Sequence, residues 1–193
     1  MKAVINGLAP DKGLYYPQEN VTLPKKFIES IKDIDDVEIC YEIINKYIGD
    51  EIPKSKLIDI IDKTISFKMP LKKIDDSMFS LELFHGPTLA FKDIGAKFMA
   101  QCLDYFKTNY SSKKITVLVA TSGDTGGAVA RGFLNTKDIE VCILYPKGKI
   151  SSVQEQQITT NGNYVKAIEV EGDFDKCQSM VKKAFNDEEI NRN

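Results

Sequence analysis

The chain has 193 residues, 42% apolar and 28% charged, the balance of a globular protein of one domain or two small ones. Its formal charge of −2, from 26 basic and 28 acidic residues with the lysines dispersed, leaves no footprint for nucleic acid or an anionic membrane. No apolar run approaches the roughly 18 residues that cross a bilayer, and the first residues lack an h-region long enough for secretion.

Cys40, Cys102, Cys142 and Cys177 are widely separated and form no C-x-x-C pair, which argues against a disulfide framework or zinc site. A reduced, cytoplasmic protein is expected. Up to about residue 75 the pattern predicts a mainly helical N-terminal region (1–75), with Pro17 and Pro24 as punctuation. Apolar residues fall at helical spacing over Lys25 to Ile31, Val37 to Ile48 and Lys56 to Phe67. In the last of these, Leu57, Ile60, Ile61, Thr64 and Ile65 form one stripe.

From Met78 onward the pattern alternates between strand and helix, which predicts an α/β domain over 76–193. Met78 to Phe84 reads as a strand. Phe91, Ile94, Phe98, Met99, Cys102, Leu103 and Phe106 then mark one face of a long amphipathic helix. The apolar, β-branched run Ile115 to Ala120 is expected to be a strand buried on both faces. A helix over Asp124 to Leu134, a strand over Ile139 to Tyr145 and a helix over Ser151 to Thr159 follow. A strand over Tyr164 to Val170 and a helix over Phe174 to Phe185 close the pattern. Strand starts at 115, 139 and 164 imply short βα units and an open parallel sheet with flanking helices. The sheet reads as four-stranded and unfinished at Asn193, its incomplete edge offering a surface for self-association.

Three turns carry the chemistry. In the first, Leu83 to Asp93, Gly86-Pro87 ends a strand, Thr88 or a neighbour can cap the new helix, and Lys92 falls in its first turn. The helix dipole and partial burial between Phe91 and Ala96 disfavour an ammonium there, and only a neutral amine attacks an aldehyde. The plain alternative is a surface lysine that starts a helix. His85, the single histidine, is equally well read as a hydrogen-bonded loop residue. The second turn, Ala120 to Gly127, combines close-approach glycines with the hydroxyls of Ser122 and Thr125, and with Asp124 at a helix start that attracts anions. It is neither G-x-G-x-x-G nor a Walker loop, and a packing turn is the alternative. The third, Tyr145 to Ser152, brings Lys147 and Lys149, which suit a phosphate or an exposed basic turn. All three are expected at the carboxyl-end edge of the sheet, where open α/β folds bind ligands.

Glu82 to Asp93 resembles the cofactor-lysine signature of the threonine synthase family nearly residue for residue, and Ala120 to Gly127 resembles its Ser-Gly-Asp-Thr-Gly turn. Gly7 to Asp11 with Gly13 to Tyr15, Tyr145 through Gln154, and Val170 through Phe185 add weaker matches. The resemblance implies a pyridoxal 5'-phosphate lyase of the tryptophan-synthase-β type (fold type II) that converts O-phospho-L-homoserine and water to L-threonine and phosphate. Lys92 would carry the cofactor and move protons at the α and β carbons, with Phe91 and Asp124 as further cofactor contacts. Ser122, Gly123 and Thr125 would grip the substrate carboxylate, and Lys147 and Lys149 its phosphate. The chain is expected to be an N-terminal portion, stopping short of the family's cofactor-phosphate loop and inactive alone. A phospholyase of the same family, or a non-catalytic chain that pairs with another polypeptide, are the competing readings.

Overall fold

The computed structural model describes residues 1–11, 13–110, 114–136, 138–162 and 164–192. Helices α1 (Lys2–Asn6), α2 (Lys25–Ser30), α3 (Asp36–Ile48) and α4 (Lys54–Thr64) come first. Asp35 starts α3 by accepting the N–H groups of Val37 and Glu38 at 3.0 and 3.1 Å, and Gly49 stops it at a φ of 59°. Pro53 precedes α4, where its missing N–H goes unneeded. The α4 stripe Leu57, Ile60, Ile61 and Thr64 is buried as its spacing predicts, but the helix ends at Thr64, three residues before Phe67.

The expected strand over Met78 to Phe84 is corrected. Two short strands, β1 (Leu71–Lys73) and β2 (Phe79–Leu81), pair antiparallel as a separate hairpin, so the parallel sheet has three described strands rather than four. The cause is local: the Asp75 carboxylate accepts the N–H groups of Ser77 and Met78, both at 2.8 Å, and turns the chain back on itself. Phe79 and Leu81 stay exposed, so the apolar run that mimics a buried strand is a surface ribbon.

Beyond the hairpin come α5 (Lys92–Tyr110), β3 (Ile115–Ala120), α6 (Asp124–Gly132), β4 (Ile139–Pro146), α7 (Ser152–Thr159), β5 (Val165–Val170), α8 (Phe174–Phe185) and α9 (Glu188–Arg192). β3, β4 and β5 lie parallel in that order, with Ile115 opposite Ile139 and Val141 opposite Val165. Alternation decides the two faces. Val117, Val119, Val141, Ile143 and Tyr145 face the core shared with Ala100 and Leu103 of α5, Ala128 to Ala130 of α6 and Ile158 of α7. Leu118, Ala120, Cys142 and Leu144 face the other way and meet Cys177 and Val181 of α8. The back of α5, at Cys102 and Phe106, packs on Ile60 and Ile61 of α4. Each such fully buried aliphatic side chain contributes about 1.5–3 kcal/mol.

α5 and α6 cross almost backbone to backbone. A Cβ on Gly132 would lie 3.1 Å from the Ala96 carbonyl carbon. This crossing sets the last turn of α6 against the first turns of α5.

Candidate active site

The loop before α5 is held from within. Asp93, 4% exposed, accepts the Thr88 N–H at 2.9 Å and the Thr88 hydroxyl at 2.5 Å. Thr88 therefore does not cap α5 as expected; its hydroxyl is taken by a carboxylate one residue inside the helix. A Cβ on Gly86 would lie 2.5 Å from Asp93 Oδ2 and 2.8 Å from the Phe67 ring, so only glycine fits there. Leu89 turns the loop at a φ of 61°, a conformation that costs a residue with a Cβ about 1–2 kcal/mol. The Gln157 amide ties the loop to α7, donating to the Thr88 carbonyl at 3.3 Å.

That loop delivers Lys92 to the start of α6 although the strand before it lies outside the parallel sheet. Lys92 Nζ lies 3.9 Å from Asp124 Oδ2, and the two side chains are 34% and 54% exposed. The ammonium also sits 4.6 Å from the centroid of the exposed Phe91 ring, a cation–π contact. Asp124 is the first residue of α6, where the helix dipole favours an anion. Its Oδ1 accepts the Gln154 side-chain amide at 2.7 Å. Gln154 belongs to the capping box of α7: its Oε1 accepts the Ser151 N–H at 3.0 Å, and its own N–H donates to Ser151 Oγ at 3.2 Å.

The glycine turn is organised by buried Thr121. Its hydroxyl oxygen accepts the N–H groups of Gly123 and Gly126 at 3.0 and 2.8 Å, which leaves the Gly123 N–H spent inside the fold. Gly123 has a φ of 136° and gives up its side-chain space to the Gln154 amide. Ser122 and Thr125 are exposed beside it.

Lys147 is drawn away to Glu171, 2.5 Å distant at the far side of the β4–β5 ladder, and Lys149 sits in the turn that closes with its N–H on the Pro146 carbonyl. His85 pairs with Glu82 at 2.8 Å and stacks against Phe84. It lines a cleft of about 450 Å³ behind the loop, with Phe67, Asp93, Lys97 and Arg131, and that cleft includes neither Lys92 nor Asp124. Among the described residues no helix is long and apolar enough to cross a membrane.

A lysine amine, an aspartate and a glycine turn thus meet where two helices begin, at the carboxyl ends of parallel strands. Residues 71–191 match the sequence family described as Pyridoxal-phosphate dependent enzyme. The chain belongs to that family. Residues 1–65 match a second family, described as Threonine synthase N terminus. Curated relatives include the threonine synthases of Buchnera aphidicola subsp. Acyrthosiphon pisum, 46% identical over 97% of this chain, and of Escherichia coli K12, 42% identical over 98%. The chain spans 44% of the length of each. The crystal structure of the E. coli threonine synthase superposes with a TM-score of 0.88 at 42% identity, over 98% of this chain and 44% of that one. A PLP-bound threonine synthase from Brucella melitensis gives a TM-score of 0.88 at 38% identity, over 97% of this chain and 42% of that one.

The donor set fits the family's cofactor. An aldehyde needs a primary amine that solvent and ligand can reach, and Lys92 is a third exposed with one carboxylate at the edge of ion-pair range. Three residues of this region escaped the sequence reading: Asp93, Thr121 and Gln154. Of these, Gln154 left a readable signal, since Ser151-x-x-Gln154 is a capping-box pattern.

Proposed function

We propose that this chain carries the lysine-bearing part of a threonine synthase active site, which converts O-phospho-L-homoserine and water to L-threonine and phosphate. The observation that carries the reading is the convergence of Lys92 with Asp124 on the glycine turn, in a chain similar along nearly its whole length to threonine synthases. Pyridoxal phosphate, when bound, supplies an electron sink for carbanions at the substrate α and β carbons. Lys92 holds the cofactor through its Nζ, and the same amine, once released, takes and returns protons at those two carbons. Asp124 faces the amine and offers a charge partner to the cofactor's polar edge, with Phe91 beside it. The hydroxyls of Ser122 and Thr125 grip the substrate carboxylate. Gly123, its side-chain space filled by the Gln154 amide, lets the turn pass between those two hydroxyls, and the start of α6 supplies the favourable dipole. Lys147 and Lys149 attract the substrate phosphate, Lys147 after exchanging Glu171 for it. The same reading makes the chain cytoplasmic, in keeping with four unpaired cysteines, and assigns 1–75 as a helical region and 76–193 as the cofactor-lysine domain. Among the described residues β3 and β5 each pair with one strand, and self-association through those edges would show as a concentration-dependent mass in light scattering.

Incubation with pyridoxal phosphate, borohydride reduction and peptide mass mapping test the assignment. A phosphopyridoxyl adduct confined to Lys92, and absent from Lys92→Ala, is expected. Label scattered equally over surface lysines in both proteins would sink it. Turnover is expected only from protein that also supplies the remaining length of the relatives.

A further inference from the structure

We infer that Gln154 is a positioning residue for Lys92, acting through Asp124, an inference that rests on the function proposed for Lys92. A capping box uses only the carbonyl oxygen of its third residue, and glutamate serves as well as glutamine there. Here that oxygen is used in the ordinary way, on the Ser151 N–H at 3.0 Å. The amide nitrogen is the part a cap leaves over, and it donates to Asp124 Oδ1 at 2.7 Å, across 30 residues of sequence. The turn is shaped to receive it, because a side chain on Gly123 would overlap the Gln154 amide.

The consequence falls on Asp124. An aspartate at a helix start is half in water and free to rotate. With Oδ1 anchored, Oδ2 is the oxygen left facing Lys92 Nζ, at 3.9 Å. The neighbouring carboxylates are committed elsewhere: Asp93 of α5 to Thr88 in the loop before it, and Glu155 of α7 to the Tyr145 hydroxyl of β4 at 3.3 Å. Gln154 therefore decides which acid the amine meets and in what orientation.

Competitive acetylation of the cofactor-free chain by acetic anhydride reads the amine directly, as the ratio of Lys92 to exposed Lys25 on a peptide map. Asp124→Asn removes the charge partner and is expected to raise the ratio roughly two- to fivefold, the range of a half-exposed ion pair. Gln154→Met fills the same space without either hydrogen bond and is expected to raise it comparably. In the D124N background Gln154→Met is expected to add nothing. A wild-type ratio in Q154M, or an equal rise in the D124N background, would overturn the inference, the second outcome marking a structural loosening. Because the reagent needs no bound cofactor, failure here is separable from failure of the phosphopyridoxyl test.

Discussion

Asp93 takes both donors of Thr88, the N–H at 2.9 Å and the hydroxyl at 2.5 Å, and so closes a six-residue span whose next-to-last member is Lys92. The buried carboxylate sets where the amine emerges without touching it. Asp93→Asn turns an amide toward two donors and leaves one of them without an acceptor. It is expected to cost about 1–3 kcal/mol in urea unfolding and to lower the yield of phosphopyridoxyl label on Lys92.

Lys92 itself holds little of the fold together. Its ion pair is stretched to 3.9 Å and partly solvated. Lys92→Ala should therefore cost less than about 1 kcal/mol in urea unfolding while abolishing the label. A large loss of stability would make Lys92 a structural residue and remove the argument for its chemistry.

Gly126 lies under Thr121, Ile158 and Ile143. A Cβ there would come within 2.6 Å of Thr121 Cγ2 and 3.0 Å of Ile158 Cδ1. Gly126→Ala should cost about 1–3 kcal/mol by overpacking, despite alanine's better helix propensity, and thermal unfolding checks it.

Burial pushes the Cys102 thiol from an ordinary 9.0 up to about 11, against a smaller opposing pull from the amino terminus. A folded value above the unfolded one favours the folded state while the thiol stays protonated in both. That stability is complete below pH 9 and is lost as pH climbs from 9 through 11. Urea melts across this window should show a steeper decline for the wild type than for Cys102→Ala. Parallel declines would show that Cys102 does not set the slope.

Much of this was legible because its causes are local. Ile115 to Ala120 reads as a buried strand from composition alone, and Lys92, Ser122, Asp124 and Thr125 stand out because turns and helix starts have their own chemistry. The hairpin was not legible: Phe79 and Leu81 look like core residues, and only the bonds made by Asp75 show that the chain doubles back there. The pairing of Lys147 with Glu171 was not legible either, because the β4–β5 register that sets Tyr145 beside Glu169 joins residues far apart in sequence. The Gln154–Asp124 bond depends on how α7 lies across α6, which no short stretch of sequence encodes.

The placement of α8 on the face opposite α5, α6 and α7 governs more than packing. Right-handed crossovers through α6 and α7 lay strands down in one direction, from β3 to β5. From the reverse face the same handedness runs the other way, and α8 already lies beneath β4 and β3. Any parallel strand that follows α8 by a right-handed path would land beside β3. Winding would then reverse at the end of β3, the turn that carries Asp124, the kind of point at which open α/β sheets bind ligands.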